Sequence, residues 1–393
     1  MRDYYDCIVV GGGPAGAWAA KHAAENGASV LLLEKDREVG IPVRCAEAVG
    51  EAGFKTVVDP DPRWISTVID GAVLIAPNGR EVVVESETTR GYVLDRKIFD
   101  YDLVHMAARR GAEVLTKAYV YDLIKPNGAV EGVRVQYLSK QYDIRTKVVI
   151  GADGVESRVG RWGGLRTNIK LKDMESCLQM TLANVKVDPR YIYLYFGDEI
   201  APGGYLWVFP KNGEIANVGL GVSGEHARHK SAKHYLQEFI GKHFPNAAVL
   251  YTVVGGVPCA ATLKNIVGDG LMLVGDAAHQ VNPMSGAGIV TAMISGKMAG
   301  RVAAQAIKEN NLSEKRLAEY ADTWHKAEGK NHERFYNIKK AVYKLSDDDL
   351  NATAEAVLSL PAEKRTLMNI FKSALVNHPS LLIDVVKAFM KND

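Results

Sequence analysis

Apolar residues recur with two different periods along the chain, and each period predicts a different kind of element. The N-terminal stretch contains, in order, a strand (YDCIVV), a glycine turn (GGGPAG), an alanine-rich helix (AWAAKHAAENGA) and a second strand (SVLLLEK). This order predicts a βαβ unit with parallel strands. The order of strand, turn and helix returns after Leu271, so we expect the chain to leave this first domain and later come back to it.

The middle of the chain has the two-residue alternation that is typical of antiparallel sheet. It is clearest in SCLQMTLANVKV, YIYLYFG and YLWVFPK, which are separated by turn residues. In the last of these segments Tyr205, Trp207 and Phe209 fall on one face of the predicted strand. Beyond Leu312 apolar residues recur at helical spacing, including the stretch 381–389, and this predicts a helical C-terminal region.

Composition restricts the class of protein. The 393 residues are 47% hydrophobic and 24% charged, which is typical of a soluble globular protein. A formal net charge of +2 gives no reason to expect a nucleic-acid partner. We expect a cytoplasmic location, because we find no secretory leader and no apolar run near the roughly 18 residues of a spanning helix. The four cysteines form no CxxC pair, so neither a disulfide framework nor a metal site is predicted.

The first glycine turn carries a nucleotide-binding pattern. Gly11, Gly13 and Gly16 form GxGxxG between the predicted strand and helix, and Glu34 follows the next strand. Such glycines allow a tight turn and bring the backbone close to a pyrophosphate, whose charge then lies at a helix N-terminus. A carboxylate at position 34 can accept hydrogen bonds from a ribose. The pattern predicts a dinucleotide site, and both FAD and NAD fit it.

Two later stretches distinguish between these cofactors. GADGVESRVGR and GDAAHQVNPMSGAGIVTAM each follow a predicted strand. With these motifs the sequence resembles the flavoprotein superfamily that contains para-hydroxybenzoate hydroxylase and geranylgeranyl reductase. The resemblance implies FAD as the cofactor, with Asp276 on its ribityl or pyrophosphate part. It also implies that backbone amides near Gly286, Gly288 and Ile289 approach the pyrimidine end of the isoalloxazine.

The same resemblance places Arg96 and Asp153 near the cofactor. The alternative for Arg96 is a surface salt bridge, and the alternative for Asp153 is a structural turn. The predicted cofactor-binding residues all lie in these motifs or beside them. They are Gly11, Gly13, Ala15, Gly16, Glu34, Lys35, Arg44, Cys45, Ala46, Arg96, Val120, Asp153, Asp276, Gly286, Gly288 and Ile289.

One branch of the superfamily is favoured by the run GIVTAMISGKMAG and by YxWxFP followed by GxG. These features resemble the geranylgeranyl reductases, especially the archaeal enzymes that saturate digeranylgeranylglycerophospholipids, and the resemblance covers nearly the whole chain. His279 departs from many plant-type members, which have Gly there, and this leaves the form of the substrate open. The residues implied to bind the isoprenoid chain share one strand pair: Tyr205, Trp207, Phe209, Pro210, Gly219 and Gly221.

The predicted fold is α/β, as an α+β composite with three parts. A Rossmann-like FAD-binding domain takes residues 1–60, 90–165 and 255–310. An inserted antiparallel-sheet substrate domain takes residues 61–89 and 166–254. A helical region takes residues 311–393.

An isolated trisubstituted alkene has no carbonyl to stabilise a carbanion, so we expect protonation of the alkene with hydride delivery from reduced flavin. Trp207 is a candidate catalytic residue, because an aromatic face lowers the cost of the developing cation. Cys45 is the other candidate, since the resemblance places its loop beside the flavin, where a thiol next to Arg44 could supply a proton or gate the cofactor. The alternatives are a core face for the rings, a strand terminator at Pro210 and a small buried filler at Cys45.

The predicted activity is FAD-dependent reduction of geranylgeranyl chains in archaeal ether phospholipids. We expect a transient electron donor, NAD(P)H or a ferredoxin-like carrier, because the chain has no second GxGxxG, and we expect contact with the membrane to be peripheral at most. Two alternatives stay open. They are a flavin monooxygenase acting on a small aromatic compound, and a non-catalytic isoprenoid-binding escort.

Overall fold

The computed structural model of the chain describes residues 2–85 and 90–376. The helical pattern predicted at 381–389 therefore lies outside the described residues. The strands are β1 Tyr4–Val10, β2 Val30–Leu33, β3 Ala48–Gly50, β4 Ile65–Ile69, β5 Gly71–Ile75, β6 Glu81–Glu85, β7 Gly91–Leu94, β8 Glu113–Leu115, β9 Ala118–Ile124, β10 Gly132–Tyr137, β11 Lys140–Gly151, β12 Met174–Ala183, β13 Tyr191–Tyr195, β14 Tyr205–Pro210, β15 Ile215–Ser223, β16 Ala248–Pro258, β17 Val267–Gly268 and β18 Leu271–Leu273.

The helices are numbered in chain order. They are α1 Pro14–Glu25, α2 Glu51–Lys55, α3 Arg96–Arg109, α4 Arg158–Trp162, α5 Ala232–His243, α6 Ile289–Lys308, α7 Glu314–Trp324, α8 Lys330–Val342, α9 Asp347–Leu358 and α10 Leu367–Val376. Short 3₁₀ turns lie between several of these elements.

The described residues form two compact units. The first contains the residues up to Val43 together with Arg96–Ile169 and Pro258–Glu333. The second contains Arg44–Asp95, Lys170–Val257 and the residues from Arg334 onward. The predicted three-part division differs from these units in several places, including residues 44–60, and it stays a prediction about domains.

The first unit is built on a parallel sheet. The strand order is β17-β18-β11-β1-β2-β8, with β10 and β9 attached antiparallel beside β11. Val9 of β1 pairs with Leu32 of β2 on one side and with Ile150 of β11 on the other. Helices α1 and α6 approach so closely that a Cβ atom at Gly296 would lie 2.3 Å from the carbonyl oxygen of Ala15.

The second unit contains a seven-stranded sheet in the order β16-β12-β15-β14-β13-β5-β6 and a small sheet in the order β3-β7-β4. The large sheet is antiparallel from β12 to β13, as expected, but β13 pairs with β5 in parallel. One face packs on α5, where Leu206 and Val218 meet Leu236 and Phe239. The predicted α/β class, with a nucleotide-type sheet and a separate, largely antiparallel one, is confirmed.

None of the helices in residues 2–85 and 90–376 is long and apolar enough to cross a membrane.

Candidate functional site

The glycine turn between β1 and α1 separates two roles for glycine. Gly11 has φ +108°, and a Cβ atom there would lie 2.3 Å from the carbonyl oxygen of Ala152. A Cβ atom at Gly16 would lie 1.9 Å from the carbonyl oxygen of Gly11. At Gly13 a Cβ atom would meet nothing within 4 Å, and the backbone is extended with φ −73°. The protein's own packing therefore requires Gly11 and Gly16, whereas the space beside Gly13 is open at the N-terminus of α1.

Glu34 is fixed beside this turn. Its Oε2 accepts a hydrogen bond from the Gly12 N–H at 2.8 Å, and its Oε1 accepts one from the Asp36 N–H at 2.8 Å. These two bonds orient the carboxylate next to the glycine turn and leave it lone pairs for ribose hydroxyls. Lys35 is half-exposed and pairs with Asp36 at 2.9 Å. Ala15 is buried in the first turn of α1, and Val120 is buried in β9.

Asp153 has one carboxylate oxygen without a partner. Its Oδ2 accepts the Val159 N–H at 3.0 Å at the start of α4, whereas the buried Oδ1 has no hydrogen-bond partner among the described residues. Burial raises the pKa of this carboxyl group. A buried acceptor without a donor is costly, and a hydroxyl of a bound cofactor would satisfy it.

Asp276 lies in the short turn that follows β18, close to Gly288 at the N-terminal end of α6. Its side chain is partly buried, and the loss of hydration around the carboxyl group raises its pKa to about 6, although the charge of Arg96 opposes the shift. A Cβ atom at Gly288 would lie 3.5 Å from its Oδ1. Gly288 is the N-cap of α6 and no side chain caps it, so the first amides of a 20-residue helix point to this region. The Gly286 N–H, in contrast, is already donated to the Asn282 carbonyl at 2.8 Å.

Arg96 forms a two-pronged ion pair with Asp100, with both N···O distances at 2.6 Å. The side chains are only 13% and 6% exposed, so the pair is largely buried rather than a surface salt bridge. His279 is buried with φ +55°, and its backbone N–H donates to the Asp276 carbonyl at 3.0 Å. This geometry fits a turn role for His279.

In the second unit, the three rings share one face of β14, as the alternation predicts. Trp207 and Phe209 pack in a buried cluster with Ile69 and Val93, and Tyr205 is half-buried at its edge. This packing agrees with the core-face alternative for the two inner rings. Their role toward a substrate stays a prediction. Pro210 is the last residue of the strand, as a terminator would be.

The two glycines of β15 have a structural reason that the sequence did not reveal. Gly219 pairs with Trp207, and a Cβ atom at Gly219 would lie 2.6 Å from the indole Cζ2. The indole therefore lies across Gly219, and its Nε1–H donates to Gln179 Oε1 on β12 at 2.9 Å. A Cβ atom at Gly221 would lie 3.2 Å from the sulfur of Cys177.

The loop that contains Cys45 also belongs to the second unit, together with Arg44 and Ala46. Gln179 Nε2 donates to the Cys45 carbonyl at 3.0 Å, and the Glu47 N–H donates to the Cys45 sulfur at 3.2 Å. The sequence motifs do not include Gln179. Its signal was a glutamine between Leu178 and Met180 in a predicted strand.

Comparison with known proteins identifies the family. A family model for the geranylgeranyl reductase catalytic domain matches residues 173–257, and one for FAD-dependent oxidoreductases matches residues 6–194. The chain is 43% identical to digeranylgeranylglycerophospholipid reductase 2 of Methanococcoides burtonii, covering 98% of this chain and 96% of that one. It is also 43% identical to the digeranylgeranylglycerophospholipid reductase of Methanocella arvoryzae, covering 98% and 99% of the two chains.

Solved structures agree. A geranylgeranyl bacteriochlorophyll reductase-like protein from Thermoplasma acidophilum superposes with a TM-score of 0.91 at 36% identity, covering 98% of this chain and 99% of that one. The flavin-dependent brominase Bmp2, at 18% identity and a TM-score of 0.72 over 99% of this chain and 100% of that one, shares the fold alone. The predictions of family and of FAD as cofactor are confirmed: this chain belongs to the geranylgeranyl reductase family and is an FAD-dependent oxidoreductase.

Proposed function

We propose that this enzyme saturates the isoprenoid double bonds of geranylgeranyl chains in archaeal-type ether phospholipids, such as digeranylgeranylglycerophospholipid. The substrate class comes from the names of relatives that match nearly the whole chain. The observation that carries the proposal is the position of the ring-bearing strand β14 inside the segment that matches the geranylgeranyl reductase catalytic model.

Two features of the first unit fit FAD: the open space beside Gly13 and polar side-chain atoms that have no hydrogen-bond partner among the described residues. We propose that the pyrophosphate lies beside Gly13 at the N-terminus of α1 and that the adenosine ribose bonds to Glu34. The free oxygen of Asp153 and the carboxyl group of Asp276 are proposed to bind hydroxyl groups of the cofactor. When bound and reduced, FAD supplies the hydride.

The amides at the start of α6 are proposed to hold the pyrimidine end of the ring system, where a helix N-terminus stabilises negative charge. This proposal applies to Gly288 and Ile289. The amide of Gly286 is not included, because it already donates to the Asn282 carbonyl.

We propose that residues of the second unit bind and protonate the alkene. The ring-bearing face would form one wall of the isoprenoid site, with Tyr205 as its most accessible ring. Protonation of a trisubstituted alkene leads toward a tertiary cation, which an indole face stabilises by cation–π attraction. We propose Cys45 as the residue that supplies or relays the proton.

Replacement of Trp207 by leucine tests the role of the indole. We expect turnover to fall about 10-fold, because a desolvated cation–π contact contributes roughly 1–2 kcal/mol to the transition state. Turnover is measured on bound lipid under saturating conditions, with Trp207→Phe as the variant that keeps an aromatic face. Unchanged turnover in the leucine variant would remove Trp207 from the mechanism.

Mass spectrometry tests the proposed function itself. A digeranylgeranyl phospholipid is incubated anaerobically with the chemically reduced, FAD-loaded enzyme, and we expect mass gains of two hydrogens per step. No gain with FAD bound would refute the proposal. Oxygen-dependent consumption of NAD(P)H with hydroxylation of an aromatic compound would select the monooxygenase instead.

The partners follow from the substrate. We propose a transient electron donor, either NAD(P)H or a ferredoxin-like carrier, and peripheral contact with the cytoplasmic membrane surface. Both are supported by the chemistry, because the reaction consumes electrons and the lipid resides in a membrane.

A further inference from the structure

The four residues from Arg44 to Glu47, called here the Cys45 loop, are tied to the large sheet of the second unit by buried polar side chains. Gln179 bonds the Cys45 carbonyl at 3.0 Å. Asn217 Nδ2 donates to the Ala46 carbonyl at 3.3 Å and to Glu47 Oε2 at 2.6 Å. Gln179 is 5% exposed, Asn217 is fully buried and Glu47 is 4% exposed. Buried polar groups at this density are costly unless all are bonded, so their arrangement specifies one loop conformation.

The orientation of both amide side chains follows from their partners. The indole N–H of Trp207 can only donate, so Gln179 must present its oxygen to Trp207 and its nitrogen to the Cys45 carbonyl. The Ala46 carbonyl and the Glu47 carboxylate can only accept, so Asn217 must present its nitrogen to the loop, and its Oδ1 accepts from the Thr181 hydroxyl at 2.8 Å. Trp207 therefore reaches the Cys45 loop through a single intermediate residue.

The loop conformation itself is one that an isolated chain avoids. Glu47 has φ +76°, which is uncommon for a residue with a side chain. Lys211 holds its carboxylate at 2.8 Å, in addition to the bond from Asn217. Such strain persists only where surrounding contacts maintain it, and it is concentrated at functional sites.

One peptide unit connects this network to the thiol. The Ala46–Glu47 peptide accepts the Asn217 bond at its carbonyl and donates its N–H to the Cys45 sulfur at 3.2 Å. Because the peptide is planar, fixing the carbonyl also fixes the direction of the N–H. A backbone N–H aimed at sulfur favours the thiolate form of a cysteine.

We propose that Gln179, oriented by Trp207, is a positioning residue for the Cys45 thiol, acting with Asn217 through the backbone of the Cys45 loop. The part of this inference that concerns turnover rests on the proposed function. The part that concerns the thiol does not. Arg44 and Glu47 are the charged residues of the Cys45 loop itself, Lys211 pairs with Glu47 at 2.8 Å, and Cys177 on β12 packs against the adjacent cluster.

The first experiment measures the thiol without turnover. The rate of Cys45 alkylation by iodoacetamide is followed against pH in the oxidised, FAD-loaded protein, and the modified peptide is resolved by mass from those of the other three cysteines. We expect Gln179→Leu to move the midpoint of this profile upward by at least about half a pH unit, since release of the Cys45 carbonyl loosens the loop that aims the Glu47 N–H at the sulfur. Trp207→Phe, which removes the indole N–H and keeps a smaller aromatic ring, is expected to move it in the same direction by less.

The matched control is Gln237→Leu, on the exposed side of α5 in the same unit, which should leave the midpoint unchanged. Midpoints within 0.1 pH unit of the unmodified protein in both the Gln179 and Trp207 variants would overturn the proposal. The Trp207 variant keeps the test decisive if Gln179→Leu does not fold.

The second experiment is a double-mutant cycle on turnover. We expect Gln179→Leu to lower kcat at least about 10-fold with little change in KM, and to add no further loss in a Cys45→Ser background. Additive losses would show that Gln179 acts independently of the thiol and would overturn the positioning role in catalysis. If the alkylation profile shifts while Cys45→Ser turns over normally, the proposed proton role of Cys45 fails but the positioning of its thiol stands.

Discussion

Gly13→Val is expected to give a folded protein that no longer retains FAD. A Cβ atom at Gly13 would meet nothing within 4 Å in the protein, and the φ of −73° suits any residue. The side chain would instead fill the space at the N-terminus of α1 where the pyrophosphate is proposed to lie. We expect FAD affinity to fall at least about 100-fold, equivalent to about 3 kcal/mol, with the melting temperature of the apoprotein unchanged within a degree or two.

Two comparisons make this result specific. Gly16→Val places atoms against the Gly11 carbonyl, so we expect it to lower the melting temperature of the apoprotein as well as FAD binding. Gly241→Ala, at an open and exposed position in α5, should keep FAD and gain up to about 1 kcal/mol from helix propensity. Equilibrium titration of apoprotein with FAD and thermal unfolding provide both readouts. Normal FAD affinity in Gly13→Val would place the pyrophosphate elsewhere.

The nucleotide motif shows how far the sequence alone can lead. The strand, glycine turn, helix and second strand are local, so their order and the position of Glu34 followed from residue spacing. The motif could not separate the glycines required by the protein from the one that leaves space for a ligand. For Gly11 that distinction depends on Ala152, which follows β11, more than 100 residues later in the chain.

The Cys45 loop shows where sequence reasoning ends. Gln179 and Cys45 lie 134 positions apart, and the place of Gln179 beside Trp207 depends on the register of β12 against β15 and of β15 against β14. Alternation predicted which residues share a face, but it gave no register between distant strands. Gly219 and Gly221 are predicted from the sequence to bind the isoprenoid chain, and the structure adds that the indole of Trp207 fills the space above Gly219.

The same strand register also gives Trp207 of β14 a structural role, because it brings the indole N–H to Gln179. The sequence predicts that Tyr205, Trp207 and Phe209 bind an isoprenoid chain, and the structure places Trp207 and Phe209 in a buried cluster. A tryptophan that crosses a glycine to reach a glutamine cannot be replaced by phenylalanine without losing a hydrogen bond. The hydrogen bond to Gln179, which in turn bonds the Cys45 loop, thus explains a tryptophan at position 207 without any contact to a lipid.

Asp276→Asn is expected to stabilise the apoprotein at neutral pH while weakening its hold on FAD. Burial raises the pKa of Asp276 to about 6, and Arg96 only partly offsets it, whereas the carboxyl group in an unfolded chain has its ordinary value of 3.8. Between these values the folded state binds more protons than the unfolded state, so stability falls as pH rises from about 4 to about 6. Above pH 6 the ionised carboxylate costs the apoprotein about 3 kcal/mol, at 1.36 kcal/mol for each unit of pKa.

Asparagine removes this titration and keeps the shape of the side chain. We therefore expect the apoprotein variant to melt at a higher temperature than the unmodified protein at pH 7.5, with a smaller difference between the two proteins at pH 5. Asp322→Asn, on an exposed position of α7 in the same unit, is the control and should change neither value by more than a degree. If Asp276→Asn melts lower than the unmodified protein at pH 7.5, the carboxylate is already stabilised as an anion without FAD. In that case the uncapped amides at the start of α6 stabilise the Asp276 carboxylate in the apoprotein. These amides would then have to release the carboxylate in order to bind the cofactor.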